Sequence, residues 1–140
     1  EGFMESEHIH LSITSHPKNL KQIRRVMAKV TSQTRLSEED SGNIILAVDE
    51  ACSNIIKHCC KNDDTRNIDL TITLESDSLI ISIVDDGIQF DINSIKPRNI
   101  TDIKPGGLGV HIIKQVMDTV EYSHTKEGLN KVKMVKKLLS

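Results

Sequence analysis

Aromatic residues are almost absent from this 140-residue sequence. The chain has no tryptophan, and its Phe and Tyr residues are Phe3, Phe90 and Tyr122. We therefore expect a core built from Ile, Leu and Val, and no platform on which single-stranded nucleic acid would stack. Basic charge is not in excess either, because the net charge is −2. No global field therefore draws the chain to nucleic acid or to a membrane surface.

Cysteine and long apolar runs are also scarce. Cys52, Cys59 and Cys60 are odd in number and lack C-x-x-C spacing, so neither a disulfide framework nor a zinc site is predicted. A reducing, cytoplasmic compartment fits this cysteine content. No apolar run approaches the ~20 residues of a membrane span. The composition is that of one globular domain, in which we expect residues 1–7 to be a tag remnant or disordered.

Hydrophobic periodicity predicts the order strand, helix, helix, strand, strand, loop, helix, strand, strand. Helices and hairpins are mixed without strict β-α-β alternation, which favours an α+β two-layer sandwich over a doubly wound parallel sheet. The predicted strands cover residues 8–14, 68–74, 79–86, 119–125 and 131–139, and the predicted helices cover residues 16–34, 36–60 and 108–118. Ser37 and the three acids that follow it predict a cap and an acidic first turn at the start of the second helix.

Polar residues recur on one side of the second predicted helix. Ile45, Val48 and Cys52 lie on the apolar side, whereas Glu50, Asn54, Lys57 and His58 lie on the other. A solvated helix face explains this pattern, and on periodicity alone it is the better explanation. The alternative is a metal–phosphate site, in which Asn54 supplies an oxygen ligand for Mg²⁺ and Glu50 orients or deprotonates a hydroxyl.

Two acids and a glycine follow a buried-looking strand in the stretch Asp85-Asp86-Gly87. Such a sequence is typical of a turn. The functional alternative is that one carboxylate accepts a hydrogen bond from a ligand amine, for which the exocyclic amine of adenine is suited. In that case Gly87 would let a flat ring approach the backbone.

Glycines cluster directly before the last predicted helix, at Gly106, Gly107 and Gly109. Ile112 stands where a dinucleotide-binding fingerprint would have its third glycine, and the Walker pattern is absent. Two explanations remain, namely a plain turn and an anion-binding nest at a helix N-terminus.

In combination, "DEACSNIIKH", "DDG" and "GGLG" resemble the motifs of the Bergerat-fold ATPases, the family that includes gyrase and the histidine kinases. The resemblance runs from Ile9 to Leu138 and is closest to the small anti-sigma-factor serine kinases. It implies a mixed, mostly antiparallel sheet covered on one face by about three helices. The chain departs from the pattern at Cys59, where many relatives have glycine.

The resemblance also implies roles for the motif residues. Glu50 would be the catalytic base, Asn54 the Mg²⁺ ligand and Asp85 the adenine reader, with residues 91–106 as an ATP lid. The lid's cations would be Lys96, Arg98 and Lys104. The implied ATP-binding residues are Asn54, Lys57, His58, Asp85, Gly87, Gly106, Gly107, Leu108, Gly109, Val110 and His111.

The implied function is that of a Mg-ATP-dependent protein serine kinase that phosphorylates a small anti-anti-sigma protein and sequesters a sigma factor. An ATP-binding regulatory module without kinase activity is the alternative, and a detached histidine-kinase domain is a third, weaker one. Arg24 and Arg25 on the first helix are candidates for the partner surface, since arginine suits carboxylate pairing across an interface. The alternative is an ordinary solvated helix face. We also expect a homodimer, and no contact with nucleic acid or membrane.

Overall fold

The structure is a computed structural model that describes residues 7–92 and 108–138, with only the backbone described for residues 108–111. Within these ranges the elements follow the predicted order. A 3₁₀ turn (Pro17–Asn19) precedes the first helix, and a π-helical turn (Ile55–Cys59) continues the second. The elements are β1 (Glu7–Thr14), α1 (Leu20–Ser32), α2 (Glu38–Asn54), β2 (Asn67–Leu74), β3 (Ser78–Asp85), α3 (Leu108–Val116), β4 (Thr119–His124) and β5 (Asn130–Lys137).

The strands form one sheet in the order β1-β2-β3-β5-β4, and each pairing is antiparallel. Ile81 in the central strand β3 lies opposite Ile72 of β2 and Met134 of β5. Together with the three helices, this sheet confirms the predicted α+β architecture. Strands β3 and β5 are antiparallel, so β5 begins beside the end of β3. Asp85 and Asn130 are therefore directly opposite each other.

One face of the sheet packs into the core. Along β2 and β3 every second residue is buried, as strand geometry requires when one face is covered. These side chains share one cluster with the buried residues of α1 and α2, and the cluster contains no aromatic ring. Its fully enclosed large members include Ile23, Met27, Ile44, Ile68, Leu70, Ile72, Leu79, Ile81, Ile83, Ile113 and Met134.

Local signals set the helix starts. The Ser37 hydroxyl accepts a hydrogen bond from the Asp40 N–H at 3.0 Å, which caps α2 at the predicted position. Three acids occupy the first turn of α2, where they complement the helix dipole. Pro17 lies in the 3₁₀ turn before α1, and the His16 ring accepts a hydrogen bond from the Lys18 N–H at 3.0 Å.

Some boundaries differ from the prediction. Helix α3 ends at Val116, earlier than predicted, because the Asp118 N–H donates to the Val135 carbonyl of β5 at 2.9 Å. Strand β1 already includes Glu7, whereas residues 1–6 lie outside the described part of the chain. Of the expected lid, Asp91 and Ile92 are described and residues 93–106 lie outside.

Candidate functional site

The C-terminal part of α2 carries Glu50 and Asn54 one turn apart, so both side chains lie on the same side of the helix. Both residues are half-buried. The opposite side holds Val48 and Cys52 in the core. The polar side chains thus lie at the margin of the core rather than on a fully solvated face.

Asn54 has the one buried side-chain polar atom without a hydrogen-bond partner among the described residues, its amide nitrogen Nδ2. An unpaired buried amide costs about 1–3 kcal/mol, so such groups are rare and call for a reason. A hydrogen-bond acceptor on a bound ligand, such as a phosphate oxygen, is one such reason. Mg²⁺ takes few protein ligands and completes its shell with water and phosphate. The amide oxygen of Asn54 fits that chemistry, and the described residues contain no cluster of three or more His, Cys, Asp and Glu side chains that would hold a metal without phosphate.

Regular α-helical geometry stops at Asn54. Residues Ile55–Cys59 form a π-helical turn, which the sequence analysis did not predict. The Cys60 N–H donates to the Ile55 carbonyl at 2.9 Å, and Lys61 and Asn62 then adopt left-handed backbone angles, with φ of 52° and 64°. Single π turns inside helices occur frequently at functional sites.

The π turn also changes the prediction for the last two residues of the polar side. Lys57 and His58 are exposed, whereas Asn54 is half-buried. Their angular positions relative to Asn54 differ from those that a 3.6-residue period predicts, since a π turn contains more residues. These positions do not test whether Lys57 and His58 contact ATP, so both contacts stay predictions.

Asp85 ends β3 with only 2% of its surface exposed. Its Oδ1 accepts hydrogen bonds at 2.9 Å from the Gly87 N–H and from Nδ2 of Asn130. Burial raises the pKa of Asp85, while these two hydrogen bonds lower it and the Asp86 charge raises it further. A buried carboxylate held in a fixed orientation at a strand end is a suitable acceptor for a ligand amine.

Asn130 was missed in the sequence analysis. This residue is fully buried at the start of β5, and Nδ2 also donates to the Ile88 carbonyl at 2.9 Å. Its Oδ1 accepts from the Phe90 N–H at 3.0 Å. Asn130 precedes Val132 and Met134 at intervals of two residues, which places it on the inward face of the sheet. This alternation is the feature of the sequence that could have identified Asn130 as buried. Asn130 therefore fixes both Asp85 and the segment that follows it.

Phe90 is held at the same edge by further contacts. Its carbonyl is 3.0 Å from Nε2 of His124, and its ring lies 4.9 Å from the His124 ring. The Tyr122 ring meets the Phe90 ring edge-on at 6.0 Å. The chain after Asp85 is thus fixed to the β4–β5 hairpin up to the point where the expected lid begins.

Asp86 has a different environment from Asp85. Its Oδ1 accepts from the Asn67 N–H at 2.9 Å, and its Oδ2 lies 3.3 Å from Nδ2 of Asn67. These bonds join the end of β3 to the start of β2. Of the two adjacent acids, Asp85 therefore has the geometry of a candidate ligand acceptor, while Asp86 holds two strands together.

Gly87 has an intramolecular reason to be glycine. A Cβ atom there would lie 2.5 Å from the Cys59 carbonyl oxygen and 2.7 Å from its carbon. The next residue, Ile88, donates its N–H to the same oxygen at 2.6 Å. The loop after β3 is therefore packed against the end of the π turn, which explains Gly87 without the ring approach that the sequence analysis considered.

The three cysteines are buried thiols around this junction. Burial, with a smaller contribution from the Asp85 charge, raises the pKa of Cys59 to about 12. Burial likewise raises the pKa of Cys60 to about 11 and that of Cys52 still further. Thiols that stay protonated are poor nucleophiles and poor metal ligands, so these side chains serve packing.

The glycine-rich segment is only partly visible. Helix α3 begins at Leu108 as predicted, and the backbone of Leu108, Gly109, Val110 and His111 forms its first turn. Gly106 and Gly107 lie outside the described residues, and so do Lys96, Arg98 and Lys104. Helix α3 contacts α2, so the two helices belong to one layer.

The two candidate partner residues on α1 differ. Arg24 donates from Nη1 to Oδ1 of Asp49 on α2 at 2.8 Å, and its side chain is 44% exposed. Arg25 is exposed and forms no ion pair within the described ranges. No helix in these ranges is long and apolar enough to cross a membrane.

Comparison with known families gives a match over residues 13–136 to the family described as "Histidine kinase-like ATPase domain". The serine-protein kinase RsbW of Bacillus cereus strain AH187 is 29% identical over 131 residues, which are 88% of this chain and 81% of that protein. RsbW of Bacillus cereus strain B4264 is 30% identical over the same shares of the two chains.

Two solved structures share the fold. In the SiaB–SiaC complex from Pseudomonas aeruginosa, one chain matches with a TM-score of 0.69 and 12% identity, covering 91% of this chain and 88% of that one. The structure of the RsbU and RsbW domains of Rv1364c from Mycobacterium tuberculosis gives a TM-score of 0.66 at 12% identity. There 94% of this chain is covered but only 32% of the other.

The family match spans most of the chain and includes α2, the end of β3 and α3, where the candidate site lies. Family membership implies ATP binding. This chain belongs to the histidine kinase-like ATPase domain family and is a distant relative of the RsbW serine-protein kinases.

Proposed function

We propose that this chain is an ATP-dependent anti-sigma factor and protein serine kinase, which phosphorylates a small anti-anti-sigma protein and sequesters a sigma factor. The unpaired buried amide of Asn54, one turn after Glu50, is the observation that carries the proposal. It supports the nucleotide-site interpretation of α2 over a solvated helix face, because a solvated face would leave no buried polar atom unsatisfied.

In this proposal the adenine end of the site lies at Asp85. The carboxylate accepts a hydrogen bond from the exocyclic amine, and Asn130 together with the Gly87 N–H keeps Oδ1 in place. The phosphate end lies between Asn54 and the start of α3, where backbone N–H groups of residues 107–111 meet the phosphates. Lys57, His58, Gly106 and Gly107 are further proposed contacts.

Asn54 would hold Mg²⁺, whose charge neutralises the phosphate oxygens. Glu50 then accepts the proton of the substrate serine hydroxyl. The serine oxygen bonds to the γ-phosphorus as the bond from that phosphorus to the bridging oxygen breaks, and ADP leaves. Such a transfer depends mainly on positioning and electrostatics, so few protein groups are required.

The sigma factor and the anti-anti-sigma protein are proposed partners, and a homodimer is the proposed assembly. The RsbW names of the relatives support a kinase, and the SiaB–SiaC complex, one chain of which shares the fold, supports partner binding. Arg24 and Arg25 remain proposed partner residues.

The deciding experiment is to incubate the protein with radiolabelled Mg-ATP and candidate small antagonists from the same operon. We expect phosphoserine on one antagonist. Binding of ATP with no phosphorylation of any antagonist would leave the non-catalytic regulatory module as the function.

A further inference from the structure

Two histidines alternate with apolar residues at the start of strand β1, in the run His8-Ile9-His10-Leu11. Ile9 and Leu11 pack against the core cluster. Successive side chains of a strand point to opposite faces of the sheet. His8 and His10 therefore lie side by side on the face that is turned away from the core, and both are exposed. Since β1 is also an edge strand, solvent reaches both rings.

The neighbouring strand β2 faces one nitrogen of each ring. Thr73 is opposite His8, and its Oγ1 lies 3.1 Å from Nδ1 of that ring. Oδ1 of Asp69 lies 3.9 Å from Nε2 of His10, and the Ser12 hydroxyl donates to the same oxygen at 2.5 Å. Nε2 of His8 and Nδ1 of His10 form no hydrogen bond with another residue of the described ranges.

This arrangement of ring nitrogens is that of metal-binding histidines. A ligating imidazole uses the lone pair of one nitrogen and donates its other N–H to an oxygen, which fixes the tautomer and the ring orientation. The Thr73 hydroxyl can accept from Nδ1–H of His8, and the Asp69 carboxylate faces Nε2 of His10. Each ring therefore keeps one nitrogen for a metal ion.

The charge of the two strands also favours a cation. Neither β1 nor β2 contains Lys or Arg. Glu7 on β1 and Asp69 on β2 carry negative charge, and a histidine that ligates a metal is neutral. A dication bound by the two imidazoles therefore meets no opposing charge on these strands.

We propose that His8 and His10 chelate a transition-metal dication such as Zn²⁺ or Ni²⁺, with water completing the coordination shell. Imidazole nitrogen is a preferred ligand of these ions, whereas Mg²⁺ prefers oxygen. Structural and catalytic zinc sites use three or four protein ligands. Two ligands therefore make this an exchangeable site rather than a permanently occupied one.

This site is separate from the proposed nucleotide site. Glu50 and Asn54 lie on α2, whose buried residues pack on the core face of the sheet, whereas His8 and His10 lie on the opposite face. A metal on β1 therefore does not compete with Mg-ATP. The inference goes beyond the proposed function and does not depend on it.

The test measures Ni²⁺ binding to the untagged, nucleotide-free protein by calorimetry. His8→Gln and His10→Gln each remove one ligand from an exposed position, so both proteins should fold, which thermal unfolding checks. His16→Gln is the matched control, because His16 follows β1 and its ring bonds to the Lys18 N–H instead. The Mg-ATP affinity of every variant is measured separately, without Ni²⁺.

We expect either single substitution to weaken Ni²⁺ binding at least about tenfold, because the second imidazole binds intramolecularly once the first has bound. His16→Gln should bind Ni²⁺ as wild type does, and a large excess of Mg²⁺ should not displace the metal. All three variants should keep the wild-type affinity for Mg-ATP.

Three results would overturn the inference. The first is a wild-type protein that does not bind Ni²⁺, and the second is an equal Ni²⁺ affinity in wild type and either single variant. The third is a loss of Mg-ATP affinity in His8→Gln or His10→Gln, since the two sites would then not be separate. Failure to phosphorylate an antagonist would overturn the proposed kinase function and leave the metal site standing.

Discussion

The two ends of helix α2 are built in different ways. At the N-terminal end, Ser37 caps the helix and acids fill the first turn, so local rules account for the structure. At the C-terminal end the helix changes to a π turn, and two non-glycine residues, Lys61 and Asn62, take left-handed angles. The Cys59 carbonyl there accepts its hydrogen bond from Ile88, a residue far along the chain.

The candidate site follows this difference. Glu50 and Asn54 lie in the last two turns of α2, directly before the irregular end, whereas no candidate site residue lies at the N-terminal end of α2. Left-handed backbone at residues other than glycine costs free energy and persists where the surrounding structure enforces it. The comparison therefore predicts that substitutions at the two ends of α2 separate effects on activity from effects on stability.

The largest expected difference is in catalysis. Glu50→Gln keeps the size of the side chain but removes its basicity, so we expect antagonist phosphorylation to slow by ~10²–10⁴. Mg-ATP affinity should remain close to that of wild type. Glu38→Gln, at the regular end, should phosphorylate at the wild-type rate. Single-turnover phosphorylation measures all three proteins, and equal rates for Glu50→Gln and wild type would rule out Glu50 as the base.

A glycine at each end gives the next largest contrast. Gly87→Ala places a Cβ atom against the Cys59 carbonyl, and we expect a loss of about 1–3 kcal/mol in the free energy of unfolding. Gly42→Ala meets no atom within 4 Å in the exposed first half of α2. This control should gain about 0.5–1 kcal/mol, because alanine is the better helix former. Urea unfolding of both variants checks the pair, and a stable Gly87→Ala protein would contradict the close approach.

A polar residue at each end separates affinity from stability. Asn54→Ala should weaken Mg-ATP binding without lowering stability, because the amide it removes has no internal partner. Ser37→Ala should cost about 1 kcal/mol of stability through the lost cap and leave Mg-ATP affinity unchanged. Calorimetry with and without Mg²⁺, together with thermal unfolding, measures both quantities. An Asn54→Ala protein with unchanged affinity would remove the main support for the nucleotide site.

The smallest expected effect is a pH dependence at Asp85. Burial raises the pKa of this carboxyl above its ordinary value of 3.8, so the folded state holds the proton more firmly than the unfolded state. The stabilisation from this proton is fully present below the unfolded pKa and is lost as the pH rises through the folded pKa. Asp85→Asn does not ionise, so its stability relative to wild type should increase with pH across that window and then level off.

Asp86→Asn is the control for that series, since Asp86 is less buried than Asp85 and its carboxylate hydrogen-bonds to Asn67. Urea unfolding at a series of pH values measures both variants. Asp85→Asn should also bind ATP more weakly, with the loss larger for ATP than for GTP, because the amide replaces an acceptor by a mixed donor and acceptor. Equal losses for ATP and GTP would exclude Asp85 as the adenine reader.

Particular residues show which features of the structure could be predicted from the sequence. Ser37 with the following acids predicted the start of α2, and the alternation in residues 68–74 predicted strand β2, because both signals depend on neighbours in sequence. Asn130 was missed because its partners Asp85, Ile88 and Phe90 are about 40 residues away. The Arg24–Asp49 pair was missed for the same reason, since it joins two different helices.

By itself, the sequence determined the order of the elements, the alternation that marks the strands and the motif residues that carry the family resemblance. These follow from periodicity, capping and residue chemistry, which act over a few residues. The tertiary structure alone decided that Asp85 rather than Asp86 is the buried acid, that Gly87 touches Cys59, and that the amide of Asn54 is left without a partner. Each of these depends on how the C-terminal end of α2 packs against the end of β3 and the start of β5. The packing of the core fixes that arrangement.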